Sequence, residues 1–105
     1  MENVPDPRQY QTRSNKRISA AIDELVGQAS DEAFGEYGGR RVRFNHRWHS
    51  IDREPVLVEA SITNVYFDHG DEGGDWHLLF EVVVRNPRNG HDETIILSPG
   101  QFDFI

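Results

Sequence analysis

Apolar residues recur at Ile18, Ile22, Leu25, Ala29 and Ala33, spacings of three and four that predict an amphipathic helix. Val26 widens the stripe, and Ser14 or Asn15 is placed to cap its start. Gly27 costs about 1 kcal/mol against alanine inside a helix, so a break near 27–30 is expected. Ser30, ahead of Asp31 and Glu32, would then cap a second short helix. Residues 1–13 carry Pro5 and Pro7 among polar side chains without an apolar period, and read as a flexible arm before a single domain over 14–105. Gly35, Gly38 and Gly39 end the helical pattern.

Beyond Gly39 the period falls to two. Val42, Phe44, His46 and Trp48 alternate with Arg41, Arg43, Asn45 and Arg47, the pattern of a half-buried strand. A second, long strand starts at Val56, with Val58, Ala60 and Ile62 on one face. Its next apolar residues, Val65 and Phe67, have the opposite parity, which predicts a β-bulge near Thr63 and Asn64. The acidic, glycine-rich stretch 68–75 reads as a hairpin loop. Trp76 to Arg85 is apolar on both faces at its centre, as a central strand should be. Asn86-Pro87-Arg88-Asn89-Gly90 is a strong turn signal. A fourth strand over Glu93 to Leu97 follows, then a Ser98-Pro99-Gly100 corner and a short last segment, Gln101 to Ile105.

These elements predict an α+β, mainly β chain: an N-terminal amphipathic helix followed by a small antiparallel sheet of four or five strands. A long bulged second strand, a central third strand and a brief fifth resemble the order of a small SH3-like barrel. The alternative is an open curved sheet packed on the helix.

Composition narrows the class. At 105 residues there is room for one domain. Cysteine is absent, which removes disulfides and thiolate metal sites. No apolar run approaches eighteen residues, so no membrane span is expected. The N-terminal residues lack the basic start and apolar stretch of a secretory signal, and the cytoplasm is the expected compartment. The net charge of −7 is unevenly spread: residues 1–53 carry +1 and residues 54–105 carry −8. Ten of the eleven basic residues are arginine.

Chemistry concentrates on the first strand and its flanks. Arg41, Arg43 and Arg47 project from one face with a spacing of about 6.7 Å per two residues, and Trp48, His46 and His49 lie nearby. Guanidinium groups beside aromatic rings suit phosphate contact and base stacking. The same arginines can instead be neutralised across the sheet by Glu59, Glu81 or Glu93. Trp48 and Trp76 sit at strand ends beside loops, where aromatic anchors of interfaces are found. The expected contact surface is therefore Arg41, Arg43, Arg47, Trp48, His49 and Trp76.

Other constellations are weak. The acidic loop lacks the ligand spacing of a calcium site, and His46 with His49 lacks the third ligand zinc needs. No nucleophile elbow or phosphate-cradling loop is present. Neither cofactor nor metal nor small-molecule ligand is indicated. The expected function is a non-catalytic protein-interaction module, self-association included. A nucleic-acid-binding barrel is the second reading, and a small enzyme of unassigned chemistry the third.

Overall fold

The computed structural model describes residues 4–21, 24–48, 54–69 and 76–105. Two helices, α1 (Pro7–Ala21) and α2 (Glu24–Tyr37), precede five strands: β1 (Arg41–His46), β2 (Val56–His69), β3 (Trp76–Arg85), β4 (Asp92–Leu97) and β5 (Asp103–Phe104). None of the described helices is long and apolar enough to cross a membrane.

The helical region holds two helices where one amphipathic helix with a break near 27–30 was expected, and the first starts earlier than expected. α1 starts at Pro7, not at Ser14, so 7–13 is helix where a flexible arm was expected. The start signal is Asp6-Pro7: the Asp6 carboxylate accepts the Arg8 N–H at 3.0 Å, and proline at the first helical position lacks only an N–H the helix would leave unbonded. The apolar period is missing from this turn because Tyr10, edge-on to Tyr37 at 5.5 Å, is its one apolar side chain against the core, and Gln11 and Asn15 meet the sheet through hydrogen bonds. None of the described side chains of α1 is fully buried.

α2 runs unbroken through Gly27, whose exposed position confines the cost to propensity. Ser30 is not a cap. It sits inside α2, where its hydroxyl accepts the Phe67 N–H at 3.0 Å. Ala29 and Ala33 are buried, and their small side chains let α2 lie close against the sheet. The helix ends at Tyr37, and the chain turns away at Gly39, whose φ of +80° suits glycine. The Gly39 N–H then donates to the Ile62 carbonyl at 2.8 Å, tying the helix end to the middle of β2.

All neighbouring strands are antiparallel, in the order β4-β3-β2-β1-β5. The long β2 serves two partners in succession. Residues 56–61 pair with β1, and residues 62–69 pair with β3. The register shifts between Ile62 and Asn64, at the bulge the parity change predicts.

The sheet is open, and this corrects the expected SH3-like barrel in its closed form. β4 and β5 lie at opposite edges, and β5 contributes only two residues. The packing corresponds to the alternative: an open sheet with helices against one face.

The bulge reconciles the two parities into one buried face. Val42, Phe44, Ala60 and Ile62 precede it, and Val65, Phe67, Leu78, Phe80, Val82, Val84 and Leu97 follow. Tyr37 is fully buried among them, edge-on to Phe80 with ring centroids 5.3 Å apart and stacked on Phe104 at 5.7 Å. Its hydroxyl is not orphaned: it donates to the Pro5 carbonyl at 2.9 Å.

Candidate functional site: an open strand edge beside an apolar trough

Strand alternation decides which residues of β2 face outward. With Val42 opposite Ala60 and Phe44 opposite Val58, the core face takes the even-numbered positions. Leu57, Glu59 and Ser61 fall on the other face, with Arg41, Arg43 and Asn45 of β1. Leu57 therefore stays 57 % exposed although it lies between two valines. On β3 the same rule leaves Val83 outside, 45 % exposed.

β3 leaves β2 at the bulge, since Ile62 opposite Val82 is the last matched pair on that side. Past this point Val83 to Arg85 pair only with β4. Between the diverging strands lies a trough of about 630 Å³, within the size range of binding clefts. Val56, Leu57, Val83, Trp48 and Pro87 supply its apolar lining, and Arg41 and Arg85 stand at its rim.

Backbone direction adds a second property. Ile62 donates its N–H to the Arg40 carbonyl and accepts from the Gly39 N–H, so both its polar groups point toward the β1 side. In an antiparallel strand these groups alternate sides at every residue. Those of Ala60 and Val58 then also face β1, while those of Leu57, Glu59 and Ser61 face the β3 side. At Ser61 the strands are still together, since the Ile62–Val82 pair brings the Val83 N–H to the Ser61 carbonyl; among the described residues no strand pairs with Leu57 and Glu59 on that side.

The expected contact residues are only partly brought together. Arg41 and Trp48 both reach the trough. Arg41 is held loosely, 3.9 Å from the Glu59 carboxylate with both side chains about half exposed, and it donates to the Ser61 hydroxyl at 3.5 Å. Arg43 is flanked in register by Glu59 on one side and Asp103 on the other. Arg47 is exposed just past β1. His49 lies outside the described residues. Trp76 is removed from this group: it opens β3 on the core side, half-buried and packed against the core.

Of the three glutamates expected opposite the arginines, only Glu59 is so placed. Glu81 stands between Asn64 and Ile96 and bonds Tyr66, and Glu93 accepts from the Asn86 amide at 3.0 Å. Burial, then that bond to Glu81, pushes the Tyr66 hydroxyl above its ordinary pKa. Trp48 packs edge-on against His46, with centroids 4.5 Å apart, which fixes the indole beside the trough. Among the described residues no cluster of three or more histidine and carboxylate groups could hold a metal. The acidic loop falls mostly outside the described residues.

No family model, curated protein or solved structure matches this chain. The functional reading therefore stands on the trough itself.

Sequence reasoning missed Leu57 and Val83. The available signal was the unbroken run Val56-Leu57-Val58, in which strict alternation must turn one large apolar residue outward.

Proposed function

We propose that this chain is a non-catalytic protein-interaction module whose contact surface is the trough between β2 and β3. The observation that carries this reading is the grouping of exposed Val56, Leu57 and Val83 beside Trp48 in one concavity. Scattered apolar residues are ordinary on a surface, whereas a contiguous group rimmed by polar side chains is what interfaces use. Arg41 and Arg85 at the rim, each beside a carboxylate, suit the polar border of such a surface rather than an anion site. The SH3-like reading of the strands belongs to this proposal. The strand order around a long bent β2 supports it, and the unclosed sheet is what leaves the trough uncovered.

The test is site-specific photocrosslinking in the host cell, with a benzophenone side chain replacing Leu57, Val83 or, as an exposed apolar control on α2, Phe34. The expected result is a discrete protein adduct from positions 57 and 83 and none from 34. Equal labelling at all three positions, or no adduct at any, overturns the reading. Adducts to nucleic acid that vanish in Arg43→Glu and Arg47→Glu transfer the function to nucleic-acid binding.

A further inference from the structure

We infer that the helix layer is a second contact surface, on which another copy of this chain docks about a two-fold axis, its α1 upon α2 and its α2 upon α1.

The first observation is charge. Every charged residue of α1 is basic: Arg8, Arg13, Lys16 and Arg17. Every charged residue of α2 is acidic: Glu24, Asp31, Glu32 and Glu36. The two sets cancel, so the net charge of −7 resides outside the helices. The hairpin does not neutralise them internally, because among the described residues Arg8, Arg13, Asp31 and Glu36 make no ion pair.

The second observation is that each helix carries charge at an end where its own dipole opposes it. Arg8 stands in the first turn of α1, which has no acidic residue, and Glu36 in the last turn of α2, which has no basic one. A helix start favours negative charge and a helix end positive charge. Opposite charge arriving from outside relieves both.

The geometry lets one symmetry operation supply that charge. Gln11 and Asn15 bond Leu78 and Trp76, so α1 runs antiparallel to β3; Ser30 and Gly39 bond Phe67 and Ile62, so α2 runs antiparallel to β2. Since β2 and β3 are antiparallel, so are the helices, and the start of α1 lies beside the end of α2, where Tyr10 meets Tyr37. A two-fold axis between the helices and parallel to them exchanges α1 with α2 and keeps each residue at its level. Arg8 of one copy then falls within about one helical turn of Glu36 in the other, and Arg13 within about one turn of Asp31 and Glu32. Arg8 and Arg13, with Gln9 and Thr12, line an open hollow of about 470 Å³ that receives the acidic helix. Phe34, one turn beyond Ser30, lies on the flank of α2 away from α1 and outside this contact.

The occupant is a second copy because both helices must be met at once. An acidic peptide or a nucleic acid suits α1 and is repelled by α2, and a basic partner does the reverse. The two-fold pair gives each helix its opposite and leaves the acidic sheets on the outside.

Sedimentation equilibrium of the full chain tests this in about 0.1 M and about 1 M salt, where charges act across about 10 Å and about 3 Å. We expect a mass tending to twice 12.1 kDa in the first and 12.1 kDa in the second. Arg8→Glu with Arg13→Glu, and separately Asp31→Lys with Glu32→Lys, set like charges across the contact. All four positions are exposed, so the circular dichroism of the parent should persist. Each double variant alone should pair at least roughly tenfold more weakly, several exposed pairs being reversed together. Mixed in equal amounts the two should pair again, since each then meets the charge it needs. A monomer at about 0.1 M salt and up to about 1 mM chain, a dimer indifferent to salt, a dimer retained by either variant alone, or no recovery on mixing overturns the inference. Leu57→Asp, at the trough, should leave the dimer intact. Its loss there would mean that the copies meet through the trough, which overturns the helix contact and leaves the interaction reading standing.

Discussion

The side-chain amide of Gln11 accepts the backbone N–H of Leu78 at 2.9 Å, standing in for a strand that is not there. β4 reaches only as far as Leu97 opposite Phe80, so among the described residues β3 below that pair has no strand on this side. One turn along α1, Asn15 accepts the Trp76 N–H at 2.6 Å. Four helical residues rise about 6 Å and two strand residues about 6.7 Å, so a helix can bond alternate amides of an edge. Ser30 of α2 does the same for Phe67 on β2. The helices thus cover one end of the sheet's edges, and the trough is where that cover is missing.

Replacing both acceptors by Gln11→Ala and Asn15→Ala leaves two edge amides without partners. We expect a loss of about 1–3 kcal/mol per amide where water cannot replace the bond. Urea unfolding measures the total. Hydrogen exchange should accelerate first at Trp76 and Leu78, with the β1 ladder unaffected.

Tyr37→Phe deletes the bond to the Pro5 carbonyl and should cost about 0.5–1.5 kcal/mol at neutral pH. The substitution also changes the alkaline limb of stability. Burial raises the Tyr37 hydroxyl well above the ordinary tyrosine pKa, with a smaller contribution from Tyr10. The unfolded chain ionises near pH 10 while the folded chain keeps its proton, so the folded state binds more protons and stability falls as pH rises past that point. Unfolding midpoints between pH 9 and about 11 should drop less steeply in Tyr37→Phe, the residual slope being due in part to Tyr66, whose pKa is also raised.

Gly100 has a φ of +94°, and a Cβ there would strike the Arg8 guanidinium. Gly100→Ala should destabilise by about 1–3 kcal/mol through the backbone alone. Adding Arg8→Ala should recover the steric part and not the backbone part, which a double-mutant cycle in urea separates.

Phe80 and Leu57 should behave oppositely. Phe80 is fully buried, and Phe80→Ala should cost about 3–5 kcal/mol through lost burial and a cavity. Leu57→Ser should stay within about 0.5 kcal/mol of the parent, because its side chain is already exposed. A large loss from Leu57→Ser would mean that this side chain is structural and that the trough is not a free surface.

Local pattern carried much of the fold. β3 was legible from end to end, β1 and β4 within two residues, and the bulge at its observed place, because alternation is imposed by neighbours two positions apart. The start of α1 was misplaced because residues 7–13 carry one apolar side chain, Tyr10, against the core, which is too little to make a stripe. At the site, Arg41 and Trp48 were legible and Leu57 and Val83 were not. Trp76 was assigned to the same surface because residue type alone cannot tell the core side of β3 from the outer one.

What the chain order by itself determined was the sequence of elements, the switch from helical to strand rhythm after Gly39, and the reversal of faces in β2. Tertiary structure alone decided that the sheet stays open, that α1 lies along β3, and that β3 parts from β2 beyond Ser61, leaving no strand beside Leu57 and Glu59 among the described residues. These outcomes depend on partners far apart in the chain, 61 residues for Asn15 with Trp76 and 67 for Gln11 with Leu78. A repeat of two or four residues encodes which way a side chain points, and not which distant backbone will arrive beside it.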